Sequence, residues 1–482
     1  MITPSEGTPT WSHRLREDWC ALTDRSRASF LAIFSAVIFA AVNWHNYMVD
    51  FVPLSLIPVS LWREGTVQLD AFRPYYESLP EKQRYTFTEV NGHLYSIKPV
   101  FVSLLAAPFF LPPVLAGVPA ENVDFWIGWG RLVAAGLTGV AVGLCYLIAR
   151  RWGSHGAALG FTLLIAFGTC IWTVVGQTLT YHAGAFLCTA GLVLALHDFP
   201  LSTRRAALAG LLAGAAVVMR LTPLVLLLPV GLYLCMPGRM KSFTAWLAAL
   251  GGIILLPLAN ALLNQAVFGH WYKTGYDEEM GKWVGVSDPS LWVQGMFGIA
   301  LAPNAGLIPQ SPFLVLAAIG GWVVWTARDV KDRGLLRSYT LGIVGYASLF
   351  CLWHDWWGGL TFASRMLAEA YPLFLPLILV GWNRVSRYPF ALPLVVAAGT
   401  WSVLYQVIGV ATFDPICELA PRDWEWDLSR HFYVLYVQQF GWVAFLQAVG
   451  RTLSVLAAIA VVACVVLHRL SMPQAQKSTS DG

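Results

Sequence analysis

"RLVAAGLTGVAVGLCYLIARRWG", Arg131 to Gly153, decides the fold class of this chain. It is an uninterrupted apolar stretch that closes on the basic pair Arg150-Arg151. With the aromatic residues before it, the run covers residues 126–149, and a membrane-crossing helix needs about 20 apolar residues. The same pattern recurs along the whole sequence. Apolar runs fall at 29–48, 126–149, 157–176, 179–198, 206–220, 222–236, 243–265, 312–327, 338–354, 367–383, 389–411 and 448–468. Charged residues make up 12% of the chain, against about 25% in soluble domains, so too little polar sequence is left for a separate soluble domain. The expected fold is an all-α polytopic membrane bundle of about 12 transmembrane helices, with further helices along the outer surface.

The basic pair also orients the chain. Short loops rich in Lys and Arg stay in the cytoplasm. The other basic clusters lie before Arg27, at Arg204-Arg205, Arg239-Met240-Lys241, Arg328 to Arg337, Arg384 to Arg387 and His468-Arg469. An even number of crossings must separate neighbouring clusters. This holds throughout if the proline-rich segment 99–117 lies along the outer face or dips into it without crossing. Pro99, Pro108, Pro112 and Pro113 suit a broken or interfacial helix. Both termini are then cytoplasmic. Residues 1–28 form a cytoplasmic segment and 471–482 a cytoplasmic tail. The outer loops are 49–125, 266–311 and 412–447. The polar, basic N-terminus does not read as a cleavable signal peptide. The eight cysteines fall almost all within apolar runs, without the spacing of a disulfide framework or metal site. No Walker loop, H-E-x-x-H or G-x-S-x-G signature is present.

Ionisable residues at membrane depth are costly and mark function. Asp70, Lys98, Arg131, Gln177, His182, Arg220, Tyr276 with Asp277 to Glu279, His354, Asp355, Arg365 and Glu369 all map to the outer face. Each has an ordinary alternative. Arg131 can snorkel to headgroups, His182 can be an interfacial histidine, and Asp277 to Glu279 can be a solvated loop. Trp353, Trp356 and Trp357 can form an aromatic belt. Arg365 and Glu369 can pair at i, i+4 on one helix. Taken together, Arg and Lys with aromatics beside lipid suit a lipid-linked phosphate, because guanidinium forks bind phosphate bidentately.

Several of these stretches resemble segments of the GT-C superfamily of membrane glycosyltransferases, in particular the bacterial polyprenyl-phosphate-dependent group of protein mannosyltransferases and aminoarabinose transferases. The resembling stretches are "NGHLYSIKPVFVSLLAAPFF", the opening stretch, "VVMRLTP", "LAPNAGLIPQSPF" and "WHDWWGGLTFASRMLAEAYP". The chain departs from the family pattern at Val100, at Ala302-Pro303, at Phe362 to Ser364 and at Glu369. The resemblance implies a module of seven spans over 29–311, with large outer loops 49–125 and 266–311, followed by further helices over 312–470. It implies a sugar donor carried on polyprenyl phosphate and an inverting transfer at the outer face of a bacterial inner membrane. The acceptor would be a cell-envelope lipid, glycan or protein. Asp70 would be the general base, with Glu64 and Asp50 as fallbacks. Lys98, Arg131, Arg220 and Arg365 would hold the donor phosphate. Gln177, His182, Tyr276, His354, Asp355, Trp356 and Glu369 would orient sugar or acceptor. No cofactor is implied, since the basic residues supply the positive charge; a manganese ion held by Asp70 with Glu278 or Asp355 is the alternative. A transporter or flippase of lipid-linked glycan is the competing reading.

Overall fold

The computed structural model describes Trp19 and residues 22–42, 51–272, 289–353, 355–359, 361–413 and 426–480. Tyr276, Glu278, His354 and Asp50 lie outside the described residues. About 75% of the chain is helical. The principal helices are α1 (Asp24–Ala41), α2 (Val52–Glu64), α3 (Phe101–Leu115), α4 (Val123–Ala149), α5 (His155–Phe167), α6 (Tyr181–Ala195), α7 (Thr203–Met219) and α8 (Pro223–Leu234). They continue as α9 (Phe243–Phe268), α10 (Pro289–Leu301), α11 (Val315–Thr326), α12 (Arg333–Cys351), α13 (Tyr371–Val385), α14 (Ala391–Thr412) and α15 (Phe432–Ser480), the last bent at Gly441. One antiparallel hairpin, β1 (Phe87–Val90) and β2 (His93–Ser96), stands between α2 and α3.

Where they are described, the apolar runs fall on helical segments; 157–176 is divided between α5 and a π-helical turn, and 43–48 of the first run lie outside the described residues. Among the described residues, five helical segments are long and apolar enough to cross a membrane: Val123–Ala149, Phe243–Phe268, Arg365–Val385, Ala391–Thr412 and Tyr433–Leu467. Helix starts are capped by side chains where sequence offers them. Thr23, Asn122, Ser154, Thr180 and Ser242 each accept a hydrogen bond from an amide of the first turn. Each cap satisfies one of the amides that a helix start leaves without an intrahelical partner.

Small residues set the crossings. A Cβ on Gly139 or Gly143 of α4 would meet the carbonyl oxygens of Ala32 or Ala28 on α1. Gly210 and Gly214 of α7 lie equally close to Ala249 and Ile253 of α9, and Gly320 of α11 abuts Leu377 of α13. Such small-residue contacts are how helices approach one another in lipid, where burial of apolar surface gives little drive. The opposite faces are apolar and outward. On α9, Leu247, Leu255 and Leu262 are exposed, the pattern of a lipid-facing helix.

The pairing 28↔143 and 32↔139 makes α1 and α4 antiparallel, so Arg27 meets the end of α4. There Arg27 donates to Asp24 (2.8 Å) and to His155 Nδ1 (2.6 Å), and Arg150 Nε donates to Asp24 (3.3 Å). This polar knot pins the starts of α1 and α5 to the end of α4. The second polar cluster lies at the other end of α4, near Arg131. The two are about 28 Å apart at 1.5 Å per helical residue.

Candidate functional site: a basic cluster around Phe51 and Tyr181

Four chain breaks build the second cluster. A π-helical turn, Ile171–Val175, ends the run that α5 began, and Thr180 then caps α6 so that Tyr181 and His182 occupy its first turn. Such π turns recur at functional sites. Helix α7 stops at Met219, and Arg220 takes an extended backbone (φ −158°, ψ 133°) before Pro223 opens α8. That break turns the Arg220 side chain away from the α7 ladder. The residues before Phe101 bring in Lys98, and a 3₁₀ segment, Arg365–Ala370, brings in Arg365 and Glu369 ahead of α13.

Phe51 and Tyr181 form the floor, edge to face at 5.3 Å. Lys98 Nζ lies 5.9 Å from the Phe51 ring centre, and the Arg365 guanidinium lies 5.8 Å from it. The Arg220 guanidinium stands over Tyr181 (5.4 Å) and Phe350 (4.8 Å). Aromatic faces attract cations without neutralising them. Among the described residues one carboxylate answers: Glu369, wholly buried, accepts from His182 Nδ1 (2.7 Å), Arg220 Nη1 (3.4 Å) and the Tyr346 hydroxyl (2.9 Å). Lys98, Arg220 and Arg365 thus gather on one pair of aromatic rings. Lys98 is 7% exposed. The Arg365 Nε and Nη1 groups are buried without a hydrogen-bond partner, and so is Nε2 of His182.

The glycine pair explains itself here. Gly358 (φ +97°) and Gly359 (φ +72°) adopt backbone that side-chain residues rarely take, and a Cβ on Gly358 would lie 3.2 Å from Cγ of Arg365. The turn wraps the stem of the arginine. Ala363 sits at φ +67° just before it, a non-glycine outlier of the sort that clusters at functional sites. Gln310 locks the turn by accepting from the Ser364 amide (3.1 Å).

The structure thus brings together Lys98, His182, Arg220, Arg365 and Glu369. Gln177 is buried in the segment leading to His182. Arg131 lies next to Gly130, whose α-carbon abuts Ser55 and Leu179, and its Nε is buried. Asp355 sits in the turn before the glycines, where its carbonyl accepts from the Gly358 amide (2.8 Å). Trp356 is 2% exposed and packs on Gly298, Trp357 and Trp426. Its ring is filled by protein on these faces, and it is no interfacial belt residue. The i, i+4 pairing of Arg365 with Glu369 does not form. The segment is 3₁₀, with about three residues per turn, and Glu369 turns to His182 and Arg220.

Asp70 is engaged elsewhere. It accepts from the Leu94 amide (2.8 Å), from His93 Nδ1 (2.6 Å) and from Arg73 (3.4 Å). Partial desolvation works against its charge, but the His93 hydrogen bond, the Leu94 amide and the charges of His93 and Arg73 hold its carboxyl below the ordinary range. The carboxylate fastens the hairpin to the chain leaving α2. Glu64 is exposed at the end of α2. Phe51, Tyr181 and Tyr346 are site residues that the sequence did not single out. Tyr346 is one of two tyrosines in the apolar run of α12, with Tyr339, and nothing in the sequence distinguished it or Phe51 from other aromatics.

No protein-family model matches this chain, and no curated protein is significantly similar to it.

Proposed function

We propose that this chain is a membrane glycosyltransferase of the GT-C kind, taking a sugar from a polyprenyl-phosphate donor and passing it to a cell-envelope acceptor. On this reading it has about twelve spans and cytoplasmic termini, in a bacterial inner membrane. The basic cluster faces the outer side, and the transfer inverts the sugar carbon. The observation that carries the reading is the gathering of Lys98, Arg220 and Arg365 around Phe51 and Tyr181, with Nε and Nη1 of Arg365 left unmet. Buried unmet donors call for acceptors. A polyprenyl-phosphate sugar is a phosphodiester with one negative charge. The polyprenyl phosphate that leaves is a monoester with about 1.5 to 2. A site lined by cations favours the more highly charged leaving state over the bound donor, and that difference is what accelerates a reaction.

The acceptor's proton needs a base. Asp70 is the one the family resemblance implies. Its three donors and depressed proton affinity favour instead a role in holding the hairpin.

The test is transfer of labelled sugar from a panel of polyprenyl-phosphate sugars in membranes holding the full chain, with binding of polyprenyl phosphate measured alongside. Binding that needs Lys98, Arg220 and Arg365, together with label reaching an acceptor, supports the proposal. Absence of polyprenyl-phosphate binding overturns it. Movement of intact donor across the membrane without transfer would replace it with a flippase.

A further inference from the structure

We propose, resting on the transferase reading above, that Glu369 and His182 form its proton-accepting dyad, with Nε2 of His182 taking the proton of the acceptor hydroxyl. The geometry fixes the tautomer. Glu369 accepts from three donors, His182 Nδ1 at 2.7 Å, Arg220 at 3.4 Å and Tyr346 at 2.9 Å, and is therefore a carboxylate. A carboxylate only accepts, so Nδ1 carries the hydrogen and Nε2 bears the lone pair. That lone pair is buried and meets no donor. Glu369 itself has both oxygens occupied and is not free to act as the base. Its arrangement with the imidazole is that of a carboxylate orienting a histidine base and stabilising the imidazolium that forms.

The unmet groups come in complementary kinds. Arg365 offers Nε–H and Nη1–H and lacks acceptors, while His182 offers an acceptor and lacks a donor. The Arg365 charge lies near enough to act on His182. A phosphate oxygen beside Arg365 and a hydroxyl beside His182 would answer both at once. Among the described residues, the other charged and titratable groups facing this space are Glu369, Arg220, Lys98, Tyr181 and Tyr346.

The step balances. The acceptor oxygen bonds to the sugar carbon, and the bond from that carbon to the phosphate oxygen breaks with its electron pair on phosphate. The hydroxyl proton moves to Nε2, and Glu369 stays ionised. Lys98, Arg220 and Arg365 hold the leaving polyprenyl phosphate, and the proton passes to water when the products leave.

Two measurements test this on the full chain in nanodiscs. In the first, ¹⁵N-histidine labelling reads the His182 tautomer, with His182→Gln identifying the signal. A neutral Nδ1–H ring whose signal moves on adding polyprenyl phosphate is expected. In Glu369→Gln the side-chain amide can donate to Nδ1, and the ring should flip to Nε2–H. A wild-type Nε2–H ring, an imidazolium, or a signal indifferent to polyprenyl phosphate overturns the dyad. In the second, His182→Gln should bind polyprenyl phosphate within about threefold of wild type, yet turn over the sugar donor about 100-fold or more slower. The acidic limb of its pH–rate profile should also disappear. Retention of more than about a tenth of the turnover overturns the dyad and leaves the phosphate site standing. Loss of polyprenyl-phosphate binding in wild type itself overturns the transferase reading, and the dyad with it.

Discussion

Removing Arg365 should separate binding from stability. Its Nε and Nη1 are buried and make no hydrogen bond within the protein. Arg365→Ala therefore breaks no internal bond of these two groups, and it removes a charge held near two other cations. The lost contacts with Phe51 and with the Gly358 turn should lower the unfolding temperature only modestly, well short of the effect of Glu369→Ala. A ligand phosphate would lose up to two charge-assisted hydrogen bonds, each worth about 1.5–3 kcal/mol. Losing one bond alone means about 10- to 150-fold weaker binding, since about 1.4 kcal/mol is tenfold. Arg365→Lys keeps a point charge without the fork and should fall between. The assay is displacement of a fluorescent polyprenyl phosphate from nanodisc-embedded protein, with thermal unfolding measured in parallel. Glu369→Ala is the contrast, because it strips Arg220 and His182 of their buried partner. Breaking a buried pair from one side costs about 3–5 kcal/mol, so this variant should unfold markedly earlier. Arg365→Ala binding within about threefold of wild type would refute the phosphate role. So would a drop in unfolding temperature as large as that of Glu369→Ala.

Two further outcomes follow from other parts of the site. Asp70→Asn should loosen the hairpin while sparing turnover, read as faster proteolysis between β1 and β2; near-complete loss of turnover would return Asp70 to the role of base. The Asp70 carboxyl is held below its ordinary value in the folded chain. Its contribution is therefore present above the unfolded carboxylate range and fades as pH falls through the lower folded value, so wild type and Asp70→Asn should converge only in strong acid. Gly358→Ala places a Cβ 3.2 Å from Arg365 Cγ on a backbone at φ +97°. The strain is about 1–3 kcal/mol, and polyprenyl-phosphate affinity should fall while the Asp24–His155 knot at the far end is untouched; unchanged affinity would show that the turn does not hold Arg365.

Much of this arrangement was legible because lipid makes sequence blunt. An apolar run interrupted only at its ends reads as a helix, and where described the runs fall on helical segments, although 157–176 is broken in two. Charges inside such runs or at their ends are costly, which is why Lys98, His182, Arg220, Arg365 and Glu369 stood out as candidates, each beside an ordinary alternative. Their partners were not legible. The i, i+4 spacing of Arg365 and Glu369 suggested a pair only on the assumption of an α-helix, and the segment is 3₁₀. Asp70 stood out as an acid in a loop, but the donors that occupy it come from Leu94 and His93, more than twenty residues on. Phe51 and Tyr181 carry no charge, and their place under three cations is a property of packing. Trp356 had two readings, a ring orienting sugar or acceptor and an interfacial belt residue, and only packing on Gly298 shows it buried in protein.

The segment around α3 offers the sharpest check on the topology. At 1.5 Å per residue, α3 is about 22 Å long, short of a hydrocarbon core of about 30 Å. Its contacts keep it at one end of the bundle. The Trp129 indole donates to the Phe109 carbonyl (2.9 Å), Phe110 stacks with Trp126 at 6.2 Å, and the Trp126 indole donates to the Pro119 carbonyl (2.9 Å). All of these partners belong to the first turns of α4. The other end of α3 starts three residues after Lys98, in the basic cluster. Neither end approaches Arg150. In a cysteine-free background, Ala116→Cys and Glu89→Cys, both exposed, should therefore react with a membrane-impermeant maleimide from the same side. Gly156→Cys, beside the Arg27–Arg150 knot and open to space, should react only from the opposite side. Labelling of Ala116→Cys together with Gly156→Cys would mean that α3 crosses. The parity of the basic loops would then fail, and Lys98 would no longer face the same compartment as the end of its own helix.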